Sequence, residues 1–417
     1  MTEKTPHICL ITPSHVASAP RLVKSADALA EAGYAVHVIS GAPFPPADAL
    51  DSDILRGASW KHTRVNTRTG PAVRARKLAR QFARYLIRFS GSDRLGIAAR
   101  AQYAESFHLA RAAAQIPAEL YIGHSLSSLH VAATAASARS ARFGFDIEDF
   151  HDAETNEAIA DPVEARARSI LQAALLPRCQ PLTCSSPLIA QAYAQSYGVH
   201  PETVLNVFPR SMAPSEARIP MEITEERPAI LYWFSQSIGH GRGLEEIIRI
   251  AGRMRTPVEL HLRGFVTPGY SSLLGSLARN AGLKRPVRFL PPVPPGEMAR
   301  LAAAADLGLS IEEKVPLNRD LCITNKVFTY VTAEIPQLLS DTSAQRALAP
   351  ELGDAGLLSD ITRTVETASL LDSFFADPPR MARARIFARE LARKRFCWDI
   401  EKGVLLRSVG RVLPPPP

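Results

Sequence analysis

Short, nearly continuous apolar runs recur along the chain. Longer stretches follow them, in which apolar residues return every three or four positions. This alternation predicts βαβ units on a parallel sheet. In the first half the predicted strands are His7–Thr12, Ala35–Ser40, Glu119–Gly123, Arg142–Ile147, Gln180–Ser185 and Thr203–Val207. In the second half they are Ala229–Phe234, Val258–Gly264, Val287–Val293, Asp306–Glu312 and Pro336–Ser340. Most lack polar alternation, as strands covered on both faces do. The spacing leaves room for one crossover helix between neighbours.

Residues 209–228 are rich in proline and charge and carry no periodicity, which predicts a linker. The expected organisation is an N-terminal Rossmann-like lobe over 1–208, with a basic helical insert at 61–100, and a second such lobe over 229–395. Residues 396–417 are expected to form a crossover helix and tail. The helical, amphipathic run Arg380–Val412 stops before Pro414–Pro417. The predicted fold class is therefore α/β: two doubly wound parallel sheets facing across a cleft at their carboxyl ends, where ligands of such sheets bind.

Composition narrows the class. A chain of 417 residues with 46% hydrophobic and 22% charged positions has the make-up of a globular protein, not of a disordered or fibrous one. No window reaches the apolar length of a membrane-spanning helix. The N-terminal residues show no signal-peptide core. Five cysteines without a C-x-x-C pair read as reduced thiols of a cytoplasmic protein. The net charge of +8 is unevenly placed. Residues 61–100 hold eleven Lys and Arg against the single acid Asp93, and the rest of the chain is slightly acidic.

Candidate chemistry gathers at predicted strand ends. The first strand-to-helix turn, Thr12 to Arg21, contains no glycine, so a G-x-G-x-x-G dinucleotide site is not supported. His15 and Arg21 would face the cleft at a helix N-terminus, or stand as solvated loop residues. His124, ending a central strand, would donate to a ligand hydroxyl or cap the next helix. Phe145–Glu154 packs five carboxylates with His151. That density suits acceptor-hydroxyl binding, with Asp149 as base beside His151, better than a metal, and equally suits a solvated loop. Asp51-Ser-Asp53 forms a D-x-D in a proline-rich loop, where it is expected to be a coincidence.

In the second half, Gly239, Gly241 and Gly243 would let backbone approach a ligand, with Arg242 presenting a fork beside a helix N-terminus. This combination suits a diphosphate. Lys326 falls in the first turn of a predicted helix, against the dipole, which points to a neutralising phosphate. Glu312 or Glu313 could hydrogen-bond a ribose or sugar hydroxyl.

At these residues the chain resembles the retaining glycosyltransferases of GT-B fold, in particular glycosyltransferase family 4 (glycosyl transferases group 1). Glu31–Ile39, Leu120–His124, Ser186–Val199 with Val204–Asn206, Arg242–Glu245 and Asn325–Tyr330 carry the likeness, which runs over nearly the whole chain. The family's paired glutamates fall near Leu321 and Thr329, its first donor-binding arginine near Ser237, and one of its glycines at Glu334. The resemblance implies metal-independent, retaining transfer of a sugar from a nucleotide-diphosphate donor in the C-lobe to a hydroxyl acceptor on the N-lobe, with no cofactor. It implies catalytic roles for His124, Arg242 and Lys326. Donor contacts would come from Gly239, Gly241, Gly243, Arg263, Glu312, Glu313, Asn325 and Thr329, and acceptor contacts from His15, Arg21, Asp149 and His151. A nucleotide-sugar 2-epimerase and a non-catalytic nucleotide-sugar-binding scaffold remain open.

Within the basic insert, Leu78, Phe82, Tyr85, Leu86 and Phe89 share one helical arc, and Arg76, Lys77, Arg80, Arg84 and Arg88 the opposite one. Residues 72–89 thus read as a basic amphipathic helix on the inner face of an anionic membrane, or as a helix of the lobe with solvated arginines. Membrane contact would fit a lipid-linked acceptor or a growing surface glycan. No fingerprint supports nucleic acid.

Overall fold

The computed structural model describes residues 5–156, 159–216 and 220–415. Part of the expected linker, 217–219, and the last two residues of the proline tail lie outside them. The chain forms two compact units, Met1–Val204 with Lys402–Pro417, and Leu205–Glu401.

The first unit holds a sheet of seven strands: β1 (His7–Thr12), β2 (Ala35–Ser40), β3 (Lys61–Arg64), β4 (Leu120–His124), β5 (Arg142–Ile147), β6 (Leu182–Cys184) and β7 (Glu202–Thr203). Its order is β3-β2-β1-β4-β5-β6-β7. The second has β8 (Ala229–Ile238), β9 (Val258–Val266), β10 (Arg288–Leu290), β11 (Leu307–Ser310), β12 (Gln337–Ser340) and β13 (Gly356–Ser359), in the order β10-β9-β8-β11-β12-β13. All pairings are parallel. Each is therefore a doubly wound α/β unit, with Ile8–Ile11 and Leu307–Ile311 fully buried at its centre.

Two strands had no sequence signal. Lys-His-Thr-Arg of β3 is an edge strand with a mostly exposed, polar face, so it shows no apolar run. β13 is a four-residue edge strand. Conversely, β10 ends at Leu290, because Pro291 and Pro292 cannot donate to a ladder. β8 runs past Phe234 through a register shift to Ile238. There Gly264 brings its backbone so close that a Cβ would stand 2.4 Å from the Ser235 carbonyl oxygen.

The unit boundaries have local causes. Leu205 N–H donates to Glu401 Oε1 at 2.7 Å and Trp398 N–H to the Phe208 carbonyl at 2.9 Å, so 205–208 pack with 398–401. The helix Trp398–Gly410 begins in the second unit, and its later turns belong to the first. In the first unit Lys402 pairs with Glu31 at 2.6 Å, Tyr34 donates to the Leu413 carbonyl at 3.0 Å, and Arg142 donates to that of Val412.

The basic helix spans Pro71–Ser90, but its setting reverses the expectation of solvated arginines. Val73, Ala83 and Ile87 are buried, while Leu78, Phe82, Tyr85 and Phe89 are exposed. Arg76 pairs with Glu105, Arg80 Nε donates to the Ala101 carbonyl at 2.9 Å, and Arg84 pairs with Asp161. Three of the five cations on the basic arc are thus internal tethers.

Candidate functional site

In the first sheet the strand order reverses between β1 and β4, the position beyond which ligands of doubly wound sheets sit. His124 ends β4 there, opposite Asp146 of β5. Its Nδ1 lies 3.3 Å from Asp146 Oδ2. Asp146 also accepts from Arg21 Nε at 2.5 Å and Nη2 at 2.9 Å, and from Thr183 Oγ1 at 2.5 Å. Burial pushes the Asp146 carboxyl up, but the Arg21 guanidinium and then the His124 ring outweigh it. The carboxyl is held well below the usual carboxylate range.

A carboxylate fixed on one ring nitrogen leaves the other for a ligand. His124 Nε2 and Ser125 Oγ are buried and meet no hydrogen-bond partner among the described residues. Ser125 stands at φ 73°, where a Cβ is strained, at the start of the helix Leu126–Arg139. Two orphaned polar atoms and a strained backbone thus coincide at the end of the central strand.

The other first-unit candidates are placed differently. Arg21 was expected to face a ligand; it is buried, and its fork is spent on Asp146 and the carbonyls of Val204 (2.7 Å) and Cys184 (3.3 Å). His15 is also buried: Nδ1 meets Asp51 Oδ2 at 2.7 Å and Nε2 accepts from Phe44 N–H at 3.0 Å. Both residues pin loops within the unit, and neither turns a free group outward.

His151 is buried, with Nδ1 2.5 Å from Glu154 Oε1 and Nε2 without a partner among the described residues. Asp149 is half-buried, and its carbonyl accepts from Tyr193 Oη at 3.3 Å. Asp152 binds Gln172 Nε2 and Tyr197 Oη, each at 2.7 Å. Part of the acidic density in Phe145–Glu154 is therefore framework.

Asp51 and Asp53 do not form a chelating pair. Asp51 is buried against His15, the Ala17 N–H and Arg64, while Asp53 is exposed and pairs with Arg56. Among the described residues, His15, Asp48 and Asp51 are the one group close enough to hold an ion. Arg64 and Arg68 already neutralise both of its carboxylates, which leaves a cation little to gain.

In the second sheet the order reverses between β8 and β11. The loop after β8 carries Gly241 and Gly243, both at φ 69°, a conformation a Cβ-bearing residue adopts only with strain. Gly243 starts the helix Leu244–Ala251. The Arg242 side chain is half-buried and meets no carboxylate among the described residues. Arg319, which the sequence did not single out, donates through Nη1 to the Gly241 carbonyl at 2.6 Å and holds the loop. Glu313 stands on the same side, its Oε2 3.7 Å from where a Gly241 Cβ would be.

Lys326 is buried in the first turn of the helix Asn325–Thr332. The anion that offsets its conflict with the dipole is Glu312, 2.6 Å from Nζ, and Nζ also lies 5.5 Å above the Trp233 ring. Thr324 Oγ1, at the start of that helix, is buried without a partner among the described residues. Asn325 Oδ1 accepts from Asn206 at 2.7 Å. Thr329 is turned back onto the Asn325 carbonyl at 2.8 Å, and Arg263 is held by Tyr232 Oη and the Pro291 carbonyl, each at 2.7 Å. Of the expected donor contacts, the glycine loop, Arg242, Glu313, Lys326 and Glu312 gather at the reversal. Thr329 and Arg263 are committed to the framework.

Glu334 occupies a position where glycine belongs: φ is 59°, and the buried carboxyl lies 3.6 and 3.8 Å from Arg389 and Arg393.

No protein-family model and no curated protein matches this chain. Solved structures do. Anabaena HepE in complex with UDP-glucose superposes with a TM-score of 0.70 at 14% identity, covering 97% of this chain and 99% of that one. Sucrose-phosphate synthase from Thermosynechococcus elongatus gives 0.69 at 14%, with coverage of 97% and 99%. The lipopolysaccharide outer core galactosyltransferase WaaB gives 0.61 at 10%, again covering 97% and 99%. At these identities the likeness establishes the fold: two parallel-sheet α/β domains of the GT-B type.

Proposed function

We propose that this protein is a glycosyltransferase that moves a sugar from a nucleotide-diphosphate donor to a hydroxyl acceptor, with retention at the anomeric carbon and without a metal. The observation that carries the reading is the loop Gly239–Gly243 at the strand-order reversal of the second sheet. There Arg242, which meets no carboxylate among the described residues, stands beside a helix N-terminus. In the reaction the bond from the anomeric carbon to the diphosphate oxygen breaks, the acceptor oxygen bonds to that carbon on the same face, and the acceptor's hydroxyl proton passes to the departing diphosphate oxygen. The departing diphosphate gathers negative charge, which Arg242 and the first N–H groups of the helix meet. Lys326 contributes less, because Glu312 already balances it. His124, with Nδ1 on Asp146, presents Nε2 to a sugar hydroxyl, and Ser125 Oγ offers a second polar atom beside it. Asp149 or His151 positions the acceptor.

A panel of nucleotide sugars, read by thermal shift and then by transfer, tests the assignment. Arg242→Ala is expected to weaken donor binding about 10- to 100-fold, the worth of a charge-assisted hydrogen bond, with little change in unfolding. Arg319→Met is expected to raise the donor KM several-fold by releasing the Gly241 carbonyl, and Arg319→Lys to restore part of it. Stabilisation by no nucleotide sugar, or an unaltered affinity in Arg242→Ala, would overturn the site. Conversion of the nucleotide sugar alone, without an acceptor, would assign an epimerase instead.

A further inference from the structure

We propose that the helix Pro71–Ser90 seats the protein on an anionic lipid bilayer through an outward stripe of Leu78, Phe82, Tyr85 and Phe89. These four side chains are 72%, 62%, 55% and 66% exposed. At ~100° per residue they fall within about 60° of one another. They lie opposite Val73, Ala83 and Ile87, which are buried. The rotation of the helix is fixed, because Arg76, Arg80 and Arg84 are tethered to Glu105, the Ala101 carbonyl and Asp161. The apolar stripe therefore faces solvent by construction. Soluble surfaces seldom carry large apolar residues in such a row unless something covers them.

Charge identifies what covers it. One flank of the stripe is lined by Arg74, Lys77 and Arg88, all exposed, and the helix contains no acidic residue. The Arg88 guanidinium lies 5.4 Å from the Phe89 ring centre, and the Tyr85 and Phe89 rings are 4.6 Å apart. Aromatic rings at headgroup depth with long cations beside them are the arrangement of a helix lying in the interface plane. A second copy of this chain would bring the same uncompensated cations together, whereas an anionic headgroup layer neutralises them. No helix among the described residues is long and apolar enough to cross a membrane, so the contact is peripheral. The expected lipid contact thus shifts from the arginine arc, now largely tethered, to the apolar arc and its flank. The contact needs neither donor nor acceptor and stands apart from the proposed activity.

Flotation of the full chain with vesicles of phosphatidylcholine, alone or with phosphatidylglycerol, tests it in the absence of any nucleotide. The wild type is expected to float with the phosphatidylglycerol vesicles and less with phosphatidylcholine alone. Phe82→Gln/Phe89→Gln, which keeps every charge, is expected to lower partitioning at least about tenfold. Arg74→Gln/Lys77→Gln/Arg88→Gln is expected to abolish the preference for phosphatidylglycerol, also with a loss of about tenfold or more. All five positions are exposed, and circular dichroism confirms folding of each variant. Equal flotation of the phenylalanine variant, or no binding by the wild type, overturns the proposal. Self-association lost in the phenylalanine variant, without vesicle binding, assigns the face to a second copy. Retention on nucleic acid alone assigns a polyanion.

Discussion

Replacing Asp146 by asparagine is expected to destabilise the first unit by about 3–5 kcal/mol, the cost of stripping a buried charge of its counterion. The substituted amide would face a buried Arg21 whose two strongest acceptors are the Asp146 oxygens. Urea unfolding followed by hydrogen exchange on β1, β4 and β5 reads this unit separately from the other, which a single two-state fit cannot do. Arg21→Met/Asp146→Leu is expected to recover most of the loss, because an apolar pair carries no desolvation cost. Recovered stability without recovered transfer would show that Asp146 also orients His124.

The pH dependence follows in sign. The folded Asp146 carboxyl titrates below its unfolded value of about 3.9. Its contribution is thus complete above that value and is lost as the pH falls toward the folded one. Glu148 has the opposite sign: burial raises it, and the stability tied to its proton is complete below its unfolded value and is lost as the pH rises from there through the raised folded one. The wild type should lose stability under about pH 4, and the asparagine variant should lack the Asp146 part of that slope.

The second large effect is expected at Lys326 and Glu312, which are 9% and 2% exposed in their side chains and 2.6 Å apart. Lys326→Met or Glu312→Gln alone leaves one buried charge unbalanced, again at a cost of about 3–5 kcal/mol in urea unfolding. Lys326→Met/Glu312→Leu is expected to unfold within about 1–2 kcal/mol of wild type. If Lys326 also meets the donor diphosphate, this folded double variant binds nucleotide sugar more weakly. An unchanged affinity would leave the pair a purely structural role and Arg242 as the diphosphate cation.

Local pattern carried the architecture. Apolar runs such as Cys9-Leu-Ile11 and Leu307-Gly-Leu309 declare buried strands without help from the rest of the chain, and the glycines at 241 and 243 mark a turn wherever they stand. Partnership across long separations left no such trace. Arg21 and Asp146 lie 125 positions apart, and nothing near either announces the other. The same gap sent His15 and Arg21 toward a ligand when their partners were internal. Lys326 shows the middle case, since its conflict with the helix dipole was legible as needing an anion, yet Glu312 supplies it. For the helix Pro71–Ser90 periodicity defined two arcs correctly, but which arc faces inward depends on Glu105, Ala101 and Asp161. Those partners, two acids and a backbone carbonyl, lie about 20 to 80 positions away along the chain and leave no mark beside the arginines.

The shared helix Trp398–Gly410 sets an order of events during synthesis. The first 204 residues leave the ribosome before the second unit, but Glu31, Tyr34 and Arg142 find their partners Lys402, Leu413 and Val412 only after residues 205–401 have been made. Domains generally fold as they emerge. Here the unit that begins first is the last to be closed, after the whole of the second has been made.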